Sequence, residues 1–270
     1  MVGLIDGPVA IDHPDLARGN IREVQDGAPG ACARAESAAC LHGTFVAGML
    51  SAKPGTSAPA ICPGCTLLVR PVFAEAAPGD AEMPSAEPEE LAAAILACIE
   101  AGARILNLSL ALMQTSAAAR IALMQVLDHA SRQGVIIVAA AGNQGTIGST
   151  AITGHPWVIP VTACDLSGKP LDQSNLGRSI GRHGLRAPGQ QITSLGSEGE
   201  PLTLSGTSAA TPFVTGAIAL VWSQFPAASG AELRLAVMQH SHERARTNVT
   251  PPLLNAWAVY QVLLAARSRR

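Results

Sequence analysis

Aromatic side chains make up only 3% of this sequence, and charged ones only 14%. Globular chains usually carry about 25% charged residues. The apolar share is nonetheless 48%, mostly alanine and small aliphatics, a composition for helices packed close against a sheet and not for disorder. The formal net charge is −2, and the one basic block is the closing Arg267-Ser268-Arg269-Arg270. A tail of that length reads as a solvated terminus, so nucleic acid is not an expected partner. No run reaches the ~18 uninterrupted apolar residues of a membrane span. Met1 leads at once into a strand, leaving no room for a signal peptide, so the expectation is a soluble, cytoplasmic protein without a membrane partner. Six cysteines in 270 residues do not make a disulfide scaffold. No acidic cluster has calcium-loop spacing, so no metal or cofactor is assigned and bound calcium stays open.

What is present is an alternation of apolar strands and amphipathic helices. Val2-Gly3-Leu4-Ile5 reads as a buried strand ending on Asp6, where open α/β sheets place their sites. Residues 17–40 are polar and aperiodic and read as a surface excursion. His42-Gly43-Thr44 then opens an apolar helix. Strands are expected over Thr66 to Phe73, Arg104 to Leu108, Val135 to Val138 and Val158 to Ala163. Pro88-Glu89-Glu90 starts one helix, Ser116 caps a second that Gly134 stops, Ser229 to Glu232 forms a capping box, and Leu253 to Ala266 closes the chain. Such alternation implies right-handed crossovers and a parallel sheet. Pro78 to Pro88 is an acidic insertion, and residues 171–206 read as hairpins and loops. With no internal repeat and no dividing linker, residues 1–270 form one expected α/β domain.

Cys62-Pro63-Gly64-Cys65 has CxxC spacing, with Cys32 and Cys40 as possible partners. A redox pair should open a helix after a strand, where the dipole lowers a thiol pKa; this one sits on a turn before a strand. Plain buried thiols are therefore the leading reading, ahead of a disulfide in either pair and of a zinc or redox site.

The stretch around which the chain is organised is Leu204-Ser205-Gly206-Thr207-Ser208-Ala209-Ala210-Thr211-Pro212. It delivers a serine to the first turn of an apolar helix, where free N–H groups and the positive dipole end point outward. Pro212 is expected in the first turns, where a lost N–H costs least. Asp6, His42 and Ser208 each have a bland alternative: a turn aspartate, a structural histidine, a capping serine. Together, in the order Asp, His, Ser, they match one known order of a nucleophilic triad.

These residues, with His13-Pro14-Asp15-Leu16, Asn107-Leu108-Ser109-Leu110 and Ala140-Ala141-Gly142-Asn143, resemble the subtilisin-like serine proteases along nearly the whole chain. The resemblance implies a subtilisin-like fold, with a mostly parallel sheet covered by helices on both faces. It implies that Ser208 is the nucleophile, His42 the base and Asp6 its orienting carboxylate, with the Asn143 amide and the Ser208 N–H as oxyanion hole. Ser109, Leu110 and Ala111 would pair with a peptide substrate as an edge strand. Ala140, Ala141, Gly142 and Gly154 would line the primary pocket, with Gln144 at its rim and an uncharged residue favoured before the cut. Ala111 replaces the glycine of many relatives. His13, His129, His155, His183, His240 and His242 fall outside the triad motifs.

The wording of Asp6-Gly7-Pro8-Val9, the Cys62 to Phe73 stretch and the Ser208 to Thr215 run is most similar to the subtilases of cyanobactin-type pathways, which trim ribosomally made precursor peptides. The Asp6 strand comes almost at the start of the sequence, so the signal, pro-segment and leading helix of secreted relatives are not expected here. The expected function is a serine endopeptidase that matures a precursor peptide. The alternatives are a catalytically silent peptide-binding scaffold and a general degradative protease.

Overall fold

The computed structural model describes residues 1–24, 29–56, 58, 60–75, 86–110, 116–239 and 248–268. Strands β1 (Val2–Asp6), β3 (Leu67–Pro71), β4 (Ile105–Leu108), β5 (Ile136–Ala140) and β6 (Ile159–Cys164) are buried throughout. Near-continuous apolar runs of this kind belong to parallel strands covered on both faces. With β2 (Ile21–Glu23) and β7 (Leu185–Pro188) they form a seven-stranded parallel sheet in the order β2-β3-β1-β4-β5-β6-β7.

Side chains alternate across the sheet. Leu4, Ile136 and Val138 enter the core beneath α1 (Ala38–Ser51) and α5 (Thr207–Gln224), on which α6 (Gly230–Gln239) and α7 (Ala256–Arg267) pack. Ile5, Ile137 and Ala139 enter the other core, beneath α2 (Pro88–Glu100) and α3 (Ala117–Gln133). The strand order reverses between β1 and β4, and crevices for ligands open beyond the carboxyl ends of strands at such a point. Asp6 ends β1 there.

The local signals at several helix ends act as read. Ser116 Oγ accepts the Ala119 N–H at 3.1 Å, and Gly134 ends α3 in the left-handed region at φ 68°. Ser229 and Glu232 cap each other reciprocally, at 2.8 and 3.2 Å.

Four expectations change. First, α1 begins a turn before His42, because Ser37 Oγ accepts the Cys40 N–H at 3.1 Å; His42 lies in the second turn. Second, the surface excursion contains β2, and residues 171–206 contain α4 (Arg178–His183) and β7 besides the expected hairpin of β8 (Ile192–Leu195) and β9 (Pro201–Leu204). Third, Cys32 and Cys40 are joined in a disulfide, whereas Cys62, Cys65, Cys98 and Cys164 are free. Burial pushes the Cys98 thiol up to about 12, as suits an inert core sulfur. Fourth, Pro212 lies in the second turn of α5, at its sixth position, where the missing N–H would have served the Ser208 carbonyl and is not without cost. Most of the Pro78 to Pro88 insertion lies outside the described residues.

Candidate active site

Asp6 is fully buried, and its Oδ1 accepts the Gly7 N–H at 2.7 Å and meets His42 Nδ1 at 2.6 Å. The bond to Asp6 fixes the tautomer: Nδ1 carries the proton and Nε2 is left as the base. α1 can bring His42 this close because Gly43 lies against β1's exit loop; a Cβ there would fall 2.3 Å from the Pro8 carbonyl oxygen. Burial lowers the His42 pKa, and the charge and hydrogen bond of Asp6 outweigh that, so the net shift is upward.

Ser208 is the second residue of α5, and its N–H belongs to the first-turn amides that have no partner within the helix. Gly206 has φ 137°, a conformation open to glycine, and a Cβ there would meet the Asn143 side chain at 2.8 Å. That close approach lets Asn143 Oδ1 accept from the Thr207 N–H at 2.8 Å and from Thr207 Oγ1 at 3.1 Å. An N–H can only donate, so the amide orientation is decided, and Nδ2 is the group left for a ligand. Pro212 has no N–H for the Ser208 carbonyl four residues back. The Ser109 hydroxyl serves that carbonyl instead, at 3.1 Å.

His42, Ser208, Asn143, Ser109, Leu110 and Thr207 line one cavity of about 280 Å³, with Phe73 and Leu204 also on its wall. Beside it is a second cavity of about 210 Å³, walled by Leu108, Leu110, Ala139, Ala140, Ala141, Gly142, Thr150 and Ile152, with Gln144 and Asn175 as its polar edge. Of the residues expected along the primary pocket, Ala140, Ala141, Gly142 and Gln144 are here. Gly154 is not: it is exposed, its N–H bonds the Thr150 carbonyl at 2.9 Å, and Thr150 and Ile152 take its place. Ala111 lies outside the described residues.

Asn175, Thr150 and Ile152 carry no sequence signal of their own, whereas Thr207 lies inside the Gly206-Thr207-Ser208 motif and Phe73 ends the Cys62 to Phe73 stretch. His13 and His155 lie elsewhere. Nδ1 of His13 accepts the Asp15 N–H, and His155 bonds Asp128 and the Trp157 N–H. Among the described residues, the one group with metal-ligand proximity is Cys32, Cys40 and Glu75, whose two sulfurs are bonded to each other. No helix among the described residues is long and apolar enough to cross a membrane.

The switch point of the parallel sheet brings an acid-bound histidine and a helix-borne serine to one cavity, and the fold and its relatives make the chain a serine endopeptidase of the subtilisin type. The subtilase family matches residues 1–255, and the chain belongs to that family. It is 30% identical over 239 residues to subtilisin DY of Bacillus licheniformis, covering 86% of this chain and 80% of that one. It spans 58% of the length of the longer subtilisins that it matches. Among solved structures, the protease domain of PatA superposes with a TM-score of 0.86 at 30% identity, over 98% of this chain and 95% of that one. The prenylagaramide maturation protease PagA superposes with a TM-score of 0.83 at 26% identity, over 97% and 92%.

Proposed function

We propose that this protease matures a ribosomally made precursor peptide in the cytoplasm, and that residues 1–270 act as one peptidase domain with Asp6, His42 and Ser208 as its triad. Ser208 Oγ attacks the scissile carbonyl while His42 Nε2 takes its proton. His42 then returns that proton to the leaving amine, and water repeats the cycle to release the acyl group. Asp6 holds the imidazole in the required tautomer and stabilises its charged form. Asn143 Nδ2 and the Ser208 N–H receive the oxyanion, donors set in place before charge develops. Ser109 and Leu110 pair with the substrate backbone.

The observation that carries the reading is the 2.6 Å contact of His42 with Asp6 at the edge of the cavity that Ser208 and Asn143 share. The precursor role is supported by relatives of similar fold that are themselves maturation proteases, PatA at 29% identity and PagA at 26%. The small, mostly apolar second cavity suits an uncharged side chain before the cut, since a buried charge without a partner is costly.

Digestion of a proteome-derived peptide library, read by mass spectrometry, tests this. The wild type should cut after uncharged residues, and Ser208→Ala should not cut. Cuts after lysine or arginine, or cutting by Ser208→Ala, would contradict the reading, and unrestricted digestion of casein would favour a degradative role.

A further inference from the structure

Asn175 lies on the chain segment between β6 and α4, more than thirty residues from Asn143, and only 8% of its surface is exposed. Its Oδ1 accepts three bonds, from the Gln144 N–H at 3.1 Å, the Thr146 N–H at 3.0 Å and Thr146 Oγ1 at 3.0 Å. Its Nδ2 donates to the Ala141 carbonyl at 3.1 Å and to Gln144 Oε1 at 2.7 Å. Its own N–H donates to the Gly142 carbonyl at 2.9 Å. These bonds fall on residues 141, 142, 144 and 146, so they bracket residue 143 on both sides while leaving its side chain to Thr207.

We infer that Asn175 is a positioning residue, a clamp that sets the backbone carrying Asn143 and ties the Gln144 side chain across the edge of the neighbouring cavity.

The inference rests on the proposed oxyanion role of Asn143 and adds a determinant from a distant segment. The chemistry explains why an asparagine is needed. One end of the side chain must accept from three donors, and the other must donate to two acceptors. An aspartate keeps the first end and turns the second into a repulsion against the Ala141 carbonyl and Gln144 Oε1. A leucine or alanine serves neither. Because misplacement of a reacting group by about 1 Å costs on the order of 10² in rate, a loosened 141–146 loop is felt at Ser208 without any contact between Asn175 and the nucleophile.

The test follows Ser208 phosphonylation by a fluorophosphonate, which needs no knowledge of the substrate, together with amide hydrogen exchange. In Asn175→Ala the maximal inactivation rate should fall by about 10-fold or more, with the reagent's half-saturation concentration little changed. Exchange at the Gln144 and Thr146 amides should accelerate. In an Asn143→Ala background the same Asn175 change should alter the rate by less than about 2-fold, because a residue acting through Asn143 has nothing left to position. Additive losses in that cycle would overturn the inference. So would unchanged exchange at the two amides.

Asn175→Asp, which keeps the three accepted bonds, reports the donating end if the alanine variant does not fold. It should retain protection at Gln144 and Thr146 yet lose rate, and an unaltered rate would count against the clamp. A wild type inert to the reagent would sink the proposed function. Exchange at those two amides would then decide the clamp by itself.

Discussion

Replacing Ser109 by alanine removes a hydroxyl that serves two buried groups at once. Ser109 Oγ accepts from Asn107 Nδ2 at 2.9 Å and donates to the Ser208 carbonyl at 3.1 Å; Asn107 Oδ1 in turn accepts from Thr215 Oγ1 at 2.8 Å. Asn107 and Thr215 are fully buried, and Ser109 is 2% exposed. The chain of bonds exists because Pro212 cannot serve the Ser208 carbonyl from within α5. Alanine leaves one amide N–H and one carbonyl without partners, each a loss of about 1–3 kcal/mol when water cannot enter. The Ser208 carbonyl is at the cavity edge, where partial hydration discounts its share, so the expected total is about 2–4 kcal/mol. In a chain of this size that lowers the melting temperature by roughly 4–7 °C. Urea denaturation should show a lower midpoint with an unchanged slope. Thr215→Val, which orphans only the Asn107 Oδ1 end, should cost less. A Ser109→Ala protein within about 0.5 kcal/mol of wild type, the range of an unremarkable surface change, would show that the hydroxyl supports neither buried group.

His42 must be neutral to accept a proton, and its pKa is raised above the ordinary 6.5, so kcat/KM should fall on the acid side with a midpoint above 6.5; a midpoint below that value would contradict the Asp6 contact. For stability the sign is the reverse. A raised folded-state pKa adds stability that is complete below the unfolded value near 6.5 and is lost as pH climbs through the folded value, so the denaturation midpoints of wild type and Asp6→Asn should converge at alkaline pH. Asn143→Ala should lower the rate of Ser208 acylation by about 10²–10³, the loss typical of one oxyanion donor, and a change under tenfold would remove Asn143 from that role. The Cys32–Cys40 disulfide closes a loop with a sequence separation of 8 just ahead of His42, worth about 2–3 kcal/mol by loop closure. Dithiothreitol should lower the melting temperature accordingly, and an unmoved transition would show that the bond contributes nothing.

Much of the fold was legible because its signals are local. The apolar strand ending on Asp6, the Ser116 cap with the Gly134 stop, and the Ser229–Glu232 box each act within four residues of themselves. The Gly206-Thr207-Ser208 turn was readable for the same reason, since its glycine and its helix start are one short motif. What stayed hidden depends on distant partners. β7 is a four-residue strand whose place is set by pairing with β6, not by its own half-buried pattern. Arg70 falls in the expected Thr66 to Phe73 strand, but that it is 1% exposed and paired with Glu90 of α2 at 2.9 Å depends on a helix about twenty residues away. Asn175 reads as one more polar loop residue, and its bonding to residues 141–146 comes entirely from the fold. The cost of the N–H that Pro212 lacks is invisible in sequence because the compensating hydroxyl, Ser109, comes from β4's exit loop.

Asp6, His42, Asn143 and Ser208 are proposed to act as one assembled nucleophilic site. Intact-mass spectrometry after incubation with a fluorophosphonate, wild type beside Ser208→Ala, tests it most directly. A single covalent adduct is expected on wild type and none on the variant. An unmodified wild type that is otherwise folded, or an adduct that survives in Ser208→Ala, would contradict it.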